Sequence, residues 1–261
     1  MNLAGKSAIV TGSAAGVGAA TALSLAQKGC NVVVNYTKSE AEADAVVAEC
    51  QAAGVKTLRV QADVSSDDDC RRMVGETVEA WGGVDILVNN AGTSKFVEHA
   101  NLDGLDMEDF QRIYAVNVVG PYQMIRAVSP HMKIAGEGAV VNISSVAGVT
   151  GMGSSVAYAA SKGALNTMTL SLARVLGPEI RINTICPGMI QGRWLRQGLG
   201  EETYDNLLKS QQNSLPLRRV STPEDVADAV LWFISGGALV TGETLLVDGG
   251  MHLGFAPLTA R

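Results

Sequence analysis

The chain has 261 residues, 47% of them apolar and 18% charged, with a formal net charge of −6. At this length ~70–75% of the unfolded chain's surface can be buried, so one α/β domain can hold its core without disulfides or metal. The acidic balance and the lack of a basic cluster exclude a nucleic-acid partner, and no run of about 18 apolar residues exists to suggest a membrane span.

Short apolar, β-branched runs punctuate the chain: SAIV (7–10), NVVV (31–34), TLRV (57–60), VDILV (84–88), GAVVNI (138–143), IRINTI (180–185) and TLLV (244–247). They are apolar throughout rather than alternating, as strands of a parallel sheet covered on both faces are. Helical patterns separate them. That βαβ order predicts an α/β fold: a Rossmann-like, doubly wound, parallel seven-stranded sheet with helices on both faces.

The first strand runs directly into TGSAAGVGAATALSLAQKG, carrying Gly12, Gly16 and Gly18. A glycine turn opening a helix lets backbone N–H groups approach a pyrophosphate, and the helix N-terminus favours the negative charge. The spacing is GxxxGxG, which only approximates GxGxxG, and tight strand–helix packing is the alternative reading of the same glycines. The second strand leaves through Asn35, Tyr36, Thr37 and Lys38, with no acid before Glu40. A carboxylate there would hold a ribose 2′-hydroxyl and repel a 2′-phosphate. Its absence favours NADP(H) over NAD(H), unless Lys38 is merely a solvated residue opening a helix.

The segment at 65–82, SSDDDCRRMVGETVEAWG, has serine at the cap, acids in the first turn and glycine at the end, and predicts a helix. In SSVAYAASKGAL (154–165), helical spacing puts Tyr158 and Lys162 on one face, one turn apart. Residues 187–220 are irregular and too long for an ordinary βα connection. They follow the sixth strand, beyond whose carboxyl end a ligand would bind, so a substrate lid is expected there. No linker or repeat interrupts the chain, and 1–261 reads as a single domain. Cys30, Cys50, Cys70 and Cys186 form no CxxC pair and His99, His131 and His252 have no ligand spacing, so free buried thiols and no metal are expected. The first ten residues are too short and polar for a signal peptide, and the expected setting is cytoplasmic.

TGSAAGVG at 11–18, NNAG at 89–92, Asn117, NISS at 142–145, Tyr158-x-x-x-Lys162, PG at 187–188 and TGETLLVDGG at 241–250 together resemble the short-chain dehydrogenase/reductase family over nearly the whole chain. The resemblance implies a catalytic set of Asn117, Ser145, Tyr158 and Lys162. Tyr158 would be the general acid in reduction and base in oxidation, and Lys162 would lower its pKa and hold the nicotinamide ribose. Ser145 would orient the substrate oxygen, and Asn117 would hold a water connecting Lys162 to solvent. It implies a cofactor cradle of Gly12, Ser13, Gly16, Val17 and Gly18, with Asn35 to Lys38 beside the adenosine ribose. Asp63 and Val64 would meet adenine, Asn90, Ala91 and Gly92 would line the pyrophosphate and ribose side, and Pro187, Gly188 and Ile190 the nicotinamide. Two departures stand out. Gly192 replaces a threonine common in the family, so that either a hydroxyl contact to the cofactor is missing or Gln191 or Arg193 replaces it, and Ala15 replaces the basic residue frequent in NADP-dependent members.

The tyrosine–lysine pair has a physical rationale. Bringing a phenol from ~10 to ~7.5 takes roughly 3.4 kcal/mol. A cation at ~4 Å contributes about 4 kcal/mol at an effective dielectric near 20. Ser94, Met152, Gly153, Met189 and Trp194 are expected around the substrate, with Leu195 as a further apolar contact and Arg193 or Arg196 either solvated or meeting an anionic group. The leading expectation is an NADP(H)-dependent oxidoreductase interconverting a ketone and a secondary alcohol, its nearest flavour a 3-oxoacyl thioester reductase. The alternatives are an NAD(H)-dependent sugar, polyol or steroid dehydrogenase, and a cofactor-sensing binding protein without catalysis. The resemblance also implies a homotetramer, with the tail FAPLTAR reaching a neighbour or fraying.

Overall fold

Alternate residues of one strand feed two different cores, and this explains the layering. Ala8 and Val10 of β1 (Ser7–Val10) and Val32 and Val34 of β2 (Asn31–Tyr36) pack in one buried cluster with Ala22, Leu25, Val46, Val226 and Phe233. Ile9 and Val33, the residues between them, point to the other face and pack with Met73, Val74, Met124, Val128 and Met132. The period-2 alternation of a strand, apolar at every position, therefore requires helices above and below.

The computed structural model describes residues 1–254, so the tail call at 255–261 lies outside the described residues. The remaining strands are β3 (Thr57–Gln61), β4 (Ile86–Asn89), β5 (Gly138–Ile143), β6 (Ile180–Pro187) and β7 (Thr244–Val247). All seven are parallel, in the order β3-β2-β1-β4-β5-β6-β7. The order reverses between β1 and β4, and the crevice beyond the carboxyl ends of those two strands is where an open sheet binds ligands. The helices are α1 (Gly16–Gln27), α2 (Glu40–Ala52), α3 (Asp67–Trp81), α4 (Met107–Tyr114), α5 (Gly120–Ala135), α6 (Ala147–Thr150), α7 (Val156–Leu176), α8 (Arg193–Leu199), α9 (Glu201–Ser214) and α10 (Pro223–Leu231).

Local signals explain several ends. Ser66 caps α3 by accepting the Asp69 N–H at 3.3 Å, three aspartates fill its first turn, and Gly82 ends it at φ +83°. Thr222 and Asp225 form a reciprocal capping box on α10, just inside which lies Pro223. A π-helical turn, Ala115–Val119, joins α4 to α5. Nothing in the apolar pattern announces it, yet it carries Asn117. The 187–220 region is mostly helical, formed by α8 and α9 rather than by an irregular loop. Among the described residues no helix is long and apolar enough to cross a membrane, and no group of three His, Cys, Asp or Glu is placed to hold a metal ion.

Candidate active site

The crevice at the β1/β4 reversal opens into a cavity of about 1020 Å³, at the upper end of the roughly 300–1,000 Å³ of small-molecule sites. The glycine loop forms one end. Gly12, Gly16 and Val17 border the cavity, as does Ala15, which provides no side-chain cap for the first-turn amides of α1. A Cβ on Gly16, at φ +57°, would meet nothing within 4 Å. Uncapped amides of a helix N-terminus facing open space suit a pyrophosphate, so the residues present fit a dinucleotide.

The rest of the loop is built for close packing. A Cβ on Gly18 would lie 2.5 Å from Asn90 Nδ2 and 2.5 Å from the Gly12 carbonyl. Asn90 Nδ2 donates to the carbonyls of Thr11 (2.9 Å) and Gly12 (3.1 Å), tying the loop to the end of β4. Gly18 thus serves the packing reading of the glycines, while Gly12 and Gly16 border the cavity. Ser13 also turns away from it: fully buried, it donates to the Val10 carbonyl at 2.7 Å and accepts the Asn35 N–H at 2.9 Å.

The end of β2 corrects a sequence expectation. Asn35 borders the cavity, but its Oδ1 accepts the Gly12 N–H at 2.9 Å and its Nδ2 donates to Val60 (3.2 Å) and Ala62 (3.0 Å). Its amide is a clamp between the glycine loop and β3. Tyr36 is buried with the Arg59 guanidinium 5.6 Å over its ring, and Lys38 is exposed outside the cavity lining. Of the four, Thr37 alone borders the cavity with a side chain free of these ties. Asp63 and Val64 border it beyond β3, and Asp63 Oδ1 accepts from Ser65 Oγ at 2.7 Å. Asn90, Ala91, Gly92, Pro187, Gly188 and Ile190 all line the cavity as expected.

Ser145, Tyr158 and Lys162 all line the same cavity. Ser145 follows β5, and α7 begins behind it with Ser155, whose Oγ accepts the Tyr158 N–H at 3.2 Å and fixes the first turn. Lys162 is 4% exposed; its ammonium lies 5.6 Å from the Tyr158 ring centroid and donates to the Ile143 carbonyl at 2.8 Å. Helical spacing thus puts the two side chains together, as read. The electrostatics differ. Burial pushes the Tyr158 phenol up to about 12, with the Ser145 hydroxyl pulling the other way, and burial pulls the Lys162 ammonium down to about 8. The expected drop toward 7.5 is absent because both groups are stripped of water and the ammonium is bound to a carbonyl beside the ring rather than to the phenol oxygen.

Asn117 is fully buried outside the cavity lining. Its Oδ1 accepts the Thr93 N–H at 2.8 Å, and its Nδ2 donates to the Thr93 carbonyl (2.9 Å) and to Ser161 Oγ (3.0 Å). It still reaches the site: the space above Gly92 is bordered by both Asn117 Oδ1 and Lys162 Nζ, 3.5 and 3.7 Å from where a Cβ would sit.

Residues of 152–153 and of 187–220 line the far side. Met152, Gly153, Met189 and Trp194 line the cavity, with the Trp194 ring 6.0 Å from Tyr158 and 5.3 Å from Phe96. Gly198 of α8 admits this packing, since a Cβ there would fall 2.1 Å from the Phe96 ring. Ser94 lies outside the lining, its Oγ held 2.6 Å from Ser154 Oγ. Gln191 donates to the Val220 carbonyl at 3.2 Å, and Arg193 meets Glu42 at 3.0 Å. Arg196 pairs with Glu201 and stacks 4.2 Å over Tyr204, tying α8 to α9. Sequence reasoning missed Phe96, Leu207, Gln211 and Met251, all of which border the cavity. It also missed a buried row behind it. Asn89, Asn142 and Thr184 lie in register on β4, β5 and β6. Asn89 donates to Asn142 (2.8 Å), and Thr169 of α7 receives bonds from Asn142 (2.8 Å) and Thr184 (2.7 Å).

Known proteins share this architecture. A family model described as enoyl-(acyl carrier protein) reductase matches residues 12–252. A candidate ketoacyl reductase 2 of the granaticin polyketide synthase of Streptomyces violaceoruber is 40% identical over 246 residues, 94% of this chain and 96% of that protein. The 3-oxoacyl-[acyl-carrier-protein] reductase FabG of Staphylococcus epidermidis is 35% identical, over 95% of this chain and 99% of that one. A solved 7α-hydroxysteroid dehydrogenase, complexed with NADH and 7-oxoglycochenodeoxycholic acid, superposes with a TM-score of 0.86 at 32% identity, covering 95% of this chain and 96% of its own.

Proposed function

The chain belongs to the short-chain dehydrogenase/reductase family of NAD(P)-dependent oxidoreductases acting on CH–OH and C=O groups, and from that premise we propose that it reduces a ketone to a secondary alcohol, with NADP(H) preferred and a 3-oxoacyl thioester as the nearest substrate class. The convergence of Ser145, Tyr158 and Lys162 in one cavity with the glycine loop carries the reading. Pro187, Gly188 and Ile190 would hold a nicotinamide, which would supply the hydride when bound. Ser145 holds the substrate oxygen, and the Tyr158 phenol gives that oxygen its proton as negative charge develops there. A phenol raised to about 12 is protonated at neutral pH, the form a proton donor needs. Lys162, at about 8, is mostly cationic at pH 7, steadies the phenolate left behind and returns a proton to it. Asn117 takes part through the space above Gly92, where it would hold a water beside the ammonium.

The NADP(H) preference is supported by the lack of a carboxylate at the β2 exit and by Arg193, whose guanidinium sits on the first turn of α2 beside Glu42. An arginine exchanging its exposed glutamate partner for a 2′-phosphate reads the two cofactors apart. A panel of carbonyls and alcohols, followed by nicotinamide absorbance with both cofactors, tests the proposal. NADPH should be preferred, and Arg193→Ala should raise the KM for NADPH by about 3–10-fold while moving that for NADH less. A clear NADH preference in the wild type defeats the cofactor assignment. A steroid dehydrogenase remains the second reading, favoured by the 32% identical steroid-bound neighbour.

The proposal extends to a homotetramer in a reducing, cytoplasmic setting, which suits four buried free thiols. Val119 and Tyr122 before and on α5 and Leu170 on α7 are 45–47% exposed, and β7 is a half-buried edge strand. Sedimentation should find a four-chain species, and monomer alone at micromolar concentration would overturn the assembly.

A further inference from the structure

We infer that Trp194 is a specificity-determining residue and that the ketone it selects carries a flat, unsaturated ring. This inference rests on the reductase reading and narrows its substrate to a ketone whose apolar end is aromatic rather than a saturated chain.

Aromatic residues make up 5% of the chain, yet three of them touch one another along a single cavity. The Trp194 indole lies 5.3 Å from the Phe96 ring and 6.0 Å from the Tyr158 ring, tilted to them by 54° and 41°. Centroid separations of this size are contact distances for aromatic pairs. Both partners are themselves held. The Phe96 ring fills the notch that Gly198 leaves by having no side chain, and Tyr158 stands on the first turn of α7, fixed by the Ser155 cap. The indole is therefore oriented by two rings, and Trp194 is still 47% exposed where it borders the cavity. An uncovered aromatic surface in contact with the phenol that would meet the reacting carbonyl is a surface for the substrate's own apolar group. Leu195, Leu199 and Leu207 line the same cavity and would cover a saturated chain as well as a ring. Only the aromatic wall tells the two apart, because offset or edge-to-face contact between rings adds to the burial of area.

The test uses ethyl 3-oxo-5-phenylpentanoate and ethyl 5-cyclohexyl-3-oxopentanoate. They share one carbon skeleton and insulate the reacting carbonyl from the ring by two methylenes. The cyclohexyl ester has the larger apolar surface, so burial alone favours it. Calorimetry with either oxidised nicotinamide cofactor at saturation gives Kd, and nicotinamide absorbance gives KM and kcat. The wild type should bind the phenyl ester about 2–10-fold more tightly. Trp194→Leu should abolish or reverse that preference, with Trp194→Met doing likewise if the leucine variant folds poorly, and Trp194→Phe, which keeps a ring, should retain it. A wild type that is indifferent or prefers the cyclohexyl ester overturns the inference. So does a preference surviving in the apolar variants, a phenylalanine variant as indifferent as they are, or no binding of either ester. A phenyl preference lost in the apolar variants, with no hydride transfer in any protein, wild type included, upholds Trp194 and sinks the reductase reading instead.

Discussion

Tyr158→Phe should keep its affinity for the nicotinamide cofactor and lose roughly 10²–10⁴-fold in turnover, the range that positioned acid–base groups contribute. The substitution removes one oxygen and retains the ring. That ring packs beside Gly153, whose Cβ position is 3.4 Å from Tyr158 Cδ1, beside Trp194 at 6.0 Å between centroids, and under the Lys162 ammonium. Those contacts are apolar or act on the face of the ring, so phenylalanine preserves them. The backbone cap from Ser155 is also untouched. Stopped-flow reduction with saturating NADPH isolates the chemical step, and fluorescence of bound NADPH reports affinity. Turnover within threefold of the wild type would remove Tyr158 from the mechanism.

Lys162→Met should abolish most activity and make the protein more stable at pH 7, two opposite effects of one ammonium. A lysine titrating at about 8 instead of its ordinary 10.5 is one whose burial disfavours the charged form. That difference corresponds to roughly 3 kcal/mol. Losing the bond to the Ile143 carbonyl takes back about 1–2 kcal/mol, so a net gain of about 1–2 kcal/mol is expected. Its pH dependence gives the sign. Between about 8 and 10.5 the unfolded chain holds a proton on Lys162 that the folded one has released, so wild-type stability rises through that window. The methionine variant has nothing to titrate there, and its advantage should shrink above pH 8, vanish at ~pH 9 and turn into a deficit of about 1–2 kcal/mol, the lost bond to the Ile143 carbonyl, above about pH 10.5. Urea melts of both proteins at pH 7 and pH 10 provide the comparison. An advantage that is constant with pH would mean that the ammonium is not held at a desolvation cost.

Much of the fold was legible because its signals are local. The seven apolar runs became the seven strands, shifted by at most two residues at an end, and the serine, aspartates and glycine around α3 act where they were read. The i,i+4 spacing brought Tyr158 and Lys162 together because α7 is regular there. Other features gave no such signal. Ser13 was read as a cofactor contact from its place after a strand, yet its hydroxyl turns inward to β1 and Asn35, while Asn35 borders the cavity and spends its amide on the glycine loop and β3. The π-turn carrying Asn117 and the contact of Phe96 with Trp194 depend on which elements pack against them.

By itself the sequence determined the parallel sheet, the order of its helices, the glycine turn at its first strand and the pairing of a phenol with an ammonium one turn apart, since periodicity, capping and helical spacing act within a few residues. Only the tertiary structure decided which groups face the cavity and how they titrate. Those properties sum over neighbours remote along the chain: Lys162 meets the carbonyl of Ile143, Asn117 meets Thr93 and Ser161, and burial of Tyr158 outweighs the pull of the Ser145 hydroxyl. Desolvation is a property of a packed volume, and no local pattern of residue types encodes it.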